Sequence, residues 1–149
     1  MNILLLTLSL LTPDSCLGCG REGSWLCTEC SATITYPDMC YVCRKPSPGS
    51  LTCPKCSKSS PISAMYIAGA LDGLARDVVM AIKYTPSRSA SKDASALMSA
   101  KLPYLETEST VVVHVPTTPG RIRERAFDQA DVLASTIAKA MGLRQIRCL

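Results

Sequence analysis

Aromatic residues are scarce. They make up 5% of the 149 residues, with one Trp and one Phe, so any interior has to be built from Leu, Ile, Val, Met and Ala. Only 8 residues are Gly, which excludes a collagen-like repeat. Charged residues reach 19% against 47% hydrophobic ones, a balance that excludes a disordered acidic tail or a polar low-complexity chain. The N-terminal apolar run, residues 3–11 (ILLLTLSLL), has the length of a signal-peptide core and is far too short to span a bilayer. No Lys or Arg precedes it, the following TPDSC is a poor cleavage site, and a cut there would fall against Cys16. These absences predict an uncleaved, cytoplasmic N-terminus whose residues 1–15 form a short apolar helix packed on the rest. A secreted chain with a disulfide framework is the rival reading.

Cysteine is what the chain has in excess, 9 of 149. Eight fall in four C-x-x-C pairs: Cys16/Cys19, Cys27/Cys30, Cys40/Cys43 and Cys53/Cys56. Two cysteines separated by two residues turn both sulfurs toward one ion in a tight knuckle. Two knuckles then supply the four thiolates that structural Zn²⁺ prefers. Gly18 and Gly20 sit in and just after the first knuckle, where a sharp turn is wanted. A disulfide scaffold fits less well, because adjacent pairs would close small strained loops. A redox C-x-x-C occurs once ahead of a helix, not four times in turn-rich sequence.

Two groupings of the pairs are open. The sequential one puts Cys16, Cys19, Cys27 and Cys30 on one zinc, and Cys40, Cys43, Cys53 and Cys56 on another. The interleaved one joins first to third and second to fourth. The sequential scheme is preferred because it closes shorter loops. Either way the sites are four-sulfur and closed, so they are structural rather than catalytic. The formal charge of +4 counts every thiol as neutral. Eight thiolates on two Zn²⁺ ions would cancel it, so whole-chain charge does not argue for a nucleic-acid partner. Cys148 has no partner at ligand spacing and reads as a small apolar residue.

Residues 57–63 (SKSSPIS) read as a linker. Residues 65–70 (MYIAGA) are expected to form a short strand. Asp72 is expected to cap a helix running to about residue 84, with Pro86 as its stop; Leu74, Val78, Val79 and Ile82 share one side. Residues 87–102 carry a weaker stripe, Ala90, Ala94, Leu97, Met98 and Leu102, and predict a second helix ended by Pro103. Residues 110–115 (TVVVHV) are apolar apart from His114 and predict a strand buried on both faces. A polar, basic loop follows, then a helix capped by Asp128 and closed by Gly142 in the left-handed conformation. Residues 145–149 begin another strand. This order predicts an α/β sheet with parallel strands.

His114, the one histidine, is expected to be a packed residue rather than a catalyst. Arg121, Arg123 and Arg125 precede a helix, where guanidinium forks and free N–H groups suit a phosphate. The competing reading is a solvated loop paired to Glu124. The carboxyl ends of strands are where open α/β sheets bind ligands, which favours the phosphate.

The four C-x-x-C pairs, AGALDGLARDVVMAIKY and VVVHVPTTPGRIRERAFDQADVLA together resemble the ComF family of competence-associated proteins. The most specific part is Arg121, Arg123, Glu124, Arg125, Phe127, Gln129 and Ala130; Gly73, Arg76, Asp77, Ile82, Lys83 and Tyr84 match as well. The resemblance spans about residues 16–143. It implies a zinc ribbon over residues 16–60 joined to a type I phosphoribosyltransferase-like domain from residue 61 onward. It further implies binding of phosphoribosyl pyrophosphate, handling of incoming single-stranded DNA, and partners such as a DNA-translocating helicase. Thr117, Thr118, Arg121, Arg123, Arg125 and Gln129 would contact the phosphate or pyrophosphate.

The chain departs from the family's pattern. Thr117 and Thr118 replace Leu-His. Ala126 and Asp128 replace Gly and Asn, and the new carboxylate is expected to weaken phosphate binding unless Asp128 only caps the helix. No acidic pair followed by Thr/Gly-rich sequence is present. Residues 61–149 are therefore expected to be the first half of the transferase-like domain in a C-terminally truncated member, without catalysis of its own. A zinc-stabilised binding module is the alternative. It would use Arg21, Arg44, Lys45, Lys55 and Lys58 with Trp25, Tyr36 and Tyr41 to hold a nucleic acid or protein. A non-functional fragment is the other.

Overall fold

A computed structural model describes residues 13–85 and 87–147. Residues 1–12 of the expected N-terminal helix, Pro86 and Cys148 lie outside the described residues. The elements in order are α1 (Thr28–Thr33), a 3₁₀ turn (Pro48–Ser50), α2 (Gly73–Tyr84), α3 (Arg88–Ser99), β1 (Val111–Val112), α4 (Pro119–Arg125), α5 (Gln129–Met141) and β2 (Arg144–Gln145).

The first third is built twice on one plan. Antiparallel bridges join Ser15 to Glu22 and Met39 to Pro46. Inside each, the carbonyl of the first cysteine accepts from the residue four later: Gly20 to Cys16 at 2.8 Å and Arg44 to Cys40 at 2.8 Å. The residue after each knuckle is left-handed, Gly20 at φ 74° and Arg44 at φ 58°. Glycine reaches that conformation freely, whereas arginine costs about 1 kcal/mol.

Helix ends follow the sequence closely. Asp72 occupies the N-cap of α2, without a side-chain hydrogen bond. Ser87 caps α3 through the N–H of Ala90. Asp128 caps α5 through Ala130 and Asp131, and Gly142 closes it at φ 67°. The longest interface packs α3 on α5. Small residues permit it: Ala90, Ser91, Ala94 and Ser95 are buried on α3, and Ala134 and Ala138 on α5. The Ser95 hydroxyl donates to the Ser91 carbonyl at 2.7 Å, so a buried polar group is matched within its own helix.

Three expectations are corrected. Residues 65–70 form no strand; Ala64 alone bridges Leu51. The valine run pairs over only two residues, Val111 with Arg144 and Val112 with Gln145, in parallel. One face of that run is bare, with Val111, Val113 and Val115 at 43%, 41% and 78% exposure. Continuous apolarity predicted burial on both faces, but among the described residues only the α5 side is covered. The basic loop is in part helical: Pro119 takes a first-turn position of α4, where its missing N–H is harmless.

The main core crosses the expected boundary at residue 60. Leu26 and Ile34 of the cysteine-rich part pack with Val78 and Ile82 of α2 and with Ala90, Ala94 and Leu97 of α3. Trp25, Cys30 and Leu74 line the same cluster.

Candidate metal centres

The sulfurs gather into two quartets. Cys16, Cys19, Cys27 and Cys30 lie within 4.8 Å of one another, and so do Cys40, Cys43, Cys53 and Cys56. This is the sequential grouping. Cys19 Sγ lies 3.8 Å from Cys27 Sγ, and Cys43 Sγ lies 3.8 Å from Cys53 Sγ. A disulfide would need about 2.0 Å. Four sulfurs at about 2.3 Å from a tetrahedral Zn²⁺ stand about 3.8 Å apart. The donor set and its spacing fit zinc, and a closed four-sulfur shell would supply folding rigidity with no site for a reacting water.

Local backbone shapes each quartet. Gly18 is needed for close approach, because a Cβ there would stand 2.7 Å from Cys30 Sγ. Cys27 is the N-cap of α1, and its sulfur accepts from the Cys30 N–H at 3.4 Å. The Cys27 N–H in turn donates to Cys16 Sγ at 3.4 Å.

These N–H groups tune the thiols. Backbone donation from Cys27, then from Cys19, brings Cys16 down to about 6. The amides of Cys43 and Cys53 bring Cys40 down to about 6. Cys30 is pushed up to about 12, chiefly by its thiol hydrogen bond with Cys27 and then by burial. Cys56 is pushed up to about 12 by Cys53 in the same way. Each quartet thus holds an early thiolate and a late thiol, the division expected when like charges crowd one point.

The arginine segment is arranged differently from the sequence expectation. Arg121 and Arg123 are exposed on α4. No salt bridge joins Arg121, Arg123 or Arg125 to a described carboxylate, Glu124 included. Arg125 Nη1 donates to Gln129 Oε1 at 2.7 Å. Gln129 is 4% exposed, and its Nε2 donates to the carbonyl of Ile82 in α2. Gln129 therefore positions Arg125 instead of facing solvent. Thr117 donates from N and Oγ1 to Asp128, at 3.2 and 2.8 Å, while Thr118 is the exposed N-cap of α4. Asp128 thus occupies the amides of α5 itself. Among the six expected phosphate contacts, Arg121, Arg123 and Thr118 are open to solvent, and Arg125 is half-buried.

His114 is half-buried between Asp128 and Asp131, 3.9 and 4.0 Å away. On the knuckles, Arg21 pairs with Glu29 at 3.0 Å, while Arg44, Lys45, Lys55 and Lys58 are exposed. The aromatics expected beside them are engaged. Trp25 Nε1 donates to Ser89 Oγ at 3.0 Å, the Tyr36 hydroxyl contacts Met39 Sδ at 3.6 Å, and the Tyr41 hydroxyl pairs with Ser60. The open aromatics are Tyr84 and Tyr104, 72% and 91% exposed. Sequence reasoning missed both as candidates. A Tyr as the last residue before a helix stop, beside a Lys, was the available signal for Tyr84.

No helix among the described residues is long and apolar enough to cross a membrane. No family profile, curated protein or solved structure matches the chain.

Proposed function

We propose that the chain is a ComF-like protein. In this reading a two-zinc ribbon is joined to a phosphoribosyltransferase-like α/β domain and holds phosphate-bearing ligands, phosphoribosyl pyrophosphate and single-stranded DNA. The observation that carries this reading is the state of the arginines. Arg121 and Arg123 stand exposed on the helix that follows β1, and no described carboxylate neutralises them. Guanidinium forks left free beyond the carboxyl end of a parallel strand suit an anion. Asp128 does not oppose this directly, because its carboxylate is taken up by Thr117 and the first amides of α5.

Calorimetric titration of the zinc-loaded chain with pyrophosphate and with phosphoribosyl pyrophosphate tests the reading. Saturable heat that disappears when Arg121 and Arg123 are both changed to Gln is expected. No binding at millimolar ligand, or binding unaffected by the double substitution, overturns it. The knuckle-centred alternative would have to use Trp25, Tyr36 and Tyr41, whose polar atoms are already paired within the fold.

A further inference from the structure

An apolar groove connects the cysteine-rich part to a pair of cations. It is made of two adjoining hollows, about 200 and about 250 Å³, which share Val79, Ile82 and Leu133 as walls. The first reaches Ile34, and its walls open to solvent at Leu71 and Met98, 69% and 38% exposed. No side chain lining it is a strong hydrogen-bond donor or acceptor. The second reaches Lys83 and Arg125. No described carboxylate forms an ion pair with either. Arg125 is fixed there by the buried Gln129 amide, which joins the Ile82 carbonyl to one guanidinium nitrogen and leaves the other donors free. Glu124 lines a neighbouring hollow with the same two cations, so two positive charges against one negative leave a single positive charge at this place.

We propose that this groove binds an unbranched acyl carboxylate, a monoanion of the fatty-acid class. The carboxylate pairs with Lys83 and the free donors of Arg125, and the hydrocarbon lies along Val79, Ile82 and Leu133 toward Met98. Charge complementarity selects the head group. One net positive charge suits a carboxylate, and a guanidinium fork matches its two oxygens. The walls select the tail. A peptide laid in the first hollow would bury amide groups against side chains that cannot pair with them, which is costly, whereas hydrocarbon loses nothing there. Methionine at the open side adapts its shape to a flexible chain. The proposal goes beyond the phosphate reading and does not rest on it, because Arg121 and Arg123 line neither hollow.

The test is calorimetric titration of the zinc-loaded full chain with octanoate, decanoate and dodecanoate, each kept below its micelle-forming concentration. One-to-one binding is expected, with affinity rising about four-fold for each CH₂ that enters the groove. Decanol should bind about ten-fold more weakly than decanoate or worse, since it lacks the charge-assisted pair. Lys83→Gln should weaken decanoate and leave decanol unchanged, a difference that a merely structural role for Lys83 would not produce. Met98→Glu, which sets a carboxylate in the groove wall, should weaken all three acids. Met80→Glu alters an exposed methionine that does not line the groove and should bind as the parent does. Both methionines are exposed, so metal content and melting temperature should stay as in the parent. Absence of binding, or affinity indifferent to chain length, overturns the proposal. Absence of binding in a parent chain that sediments as a stable dimer overturns it in favour of a second copy seated on the groove. Decanoate binding that disappears when Arg121 and Arg123 are both changed to Gln also overturns it, because the acid would then be an anion on the arginine site. Decanoate binding that survives this double substitution while pyrophosphate binding does not supports both readings separately.

Discussion

The backbone N–H of Trp25 donates to Asp93 Oδ2 at 2.7 Å across 68 residues of sequence. The same oxygen accepts from the Leu26 N–H at 3.3 Å, and Ser89, one turn earlier on α3, accepts from the Trp25 indole and donates to Asp14 Oδ2 at 2.7 Å. These polar contacts seal the rim of the core in which Leu26 and Ile34 meet α2 and α3. The first cysteine quartet is therefore part of the α/β body. The second is tied on through the chain that follows it, by the Leu51 to Ala64 bridge and the Thr52 to Ser63 hydrogen bond.

Asp93→Ala should accordingly destabilise the whole body. It strands two part-buried backbone donors at once, each costing about 1–3 kcal/mol when unmatched. The expected result is a lower urea midpoint with an unchanged slope, and a smaller loss for Asp93→Asn, which keeps one acceptor. A midpoint equal to the parent's would mean that Trp25 and Leu26 find water in place of the carboxylate.

The two metal sites should differ in what their loss does. Parent protein purified without chelator is expected to carry two zinc ions, and Cys19→Ser or Cys43→Ser one each. Cys19→Ser should also lower the helical melting transition, because Cys30 and Leu26 belong to the same packed cluster as α2 and α3. Cys43→Ser should leave that transition nearly in place. Metal analysis beside far-ultraviolet circular dichroism melts separates the cases, and equal destabilisation by both would refute the asymmetry.

What could be read from sequence was local. C-x-x-C spacing carries its own geometry, so the quartets and their sequential grouping were legible, as were the helix ends at Asp72, Asp128 and Gly142. What could not be read depends on partners far along the chain. The valine run looks the same whether one face or two are covered, and among the described residues α5 covers one. The Trp25 to Asp93 contact has no signature at either residue. The placement of Gln129 as a buried bridge between Ile82 and Arg125 was not legible, because a polar residue at the start of a helix gives no sign of which element lies over it.

Zinc uptake should depend on pH in a way set by the divided thiols. Cys16 and Cys40, lowered to about 6, are already thiolates near neutrality. Cys30 and Cys56, raised to about 12, still hold protons that the metal must displace. Fewer than four protons per quartet should therefore be released on zinc binding at neutral pH, and affinity should keep rising as pH increases. Below about pH 6 the proton begins to compete at Cys16 and Cys40 too, and affinity should fall more steeply. Proton release in weak buffer measures the first point, and zinc titration against a chelator across pH the second. Release of four protons per quartet at neutral pH would contradict the division.

Asp128 should be a source of acid lability. Burial opposes its charge, but donation from the Thr117 side chain and backbone, and from Asp131 and Ala130, outweighs this and holds the carboxyl below its ordinary 3.8. A group depressed on folding stabilises the fold above its unfolded value, and that contribution fades as pH falls through the folded one. Asp128→Asn should therefore flatten the dependence of stability on pH below about pH 4 while keeping a cap for α5. Asp128→Ala should lose the cap as well, at a cost of about 0.5–2 kcal/mol at neutral pH. Denaturation midpoints from neutral pH down to the acid limb distinguish the two, and parallel curves for parent and Asp128→Asn would show that the carboxylate has no special standing.

Gly69 and Gly120 make a paired test of how tightly the cysteine-rich part is seated. A Cβ at Gly69 would run into the side chain of Ile34, itself 6% exposed in the core. Gly69→Ala must then push the 64–71 segment away from the ribbon, with an overpacking cost of about 1–3 kcal/mol. A Cβ at Gly120 meets nothing within 4 Å, and the residue lies in α4. Gly120→Ala should be neutral or stabilise by up to about 1 kcal/mol, because alanine loses less freedom than glycine on entering a helix. The same chemical change therefore carries opposite signs at the two positions. A neutral Gly69→Ala would mean that Ile34 has room to turn aside, and that the ribbon rests on the helical body more loosely than the shared core indicates.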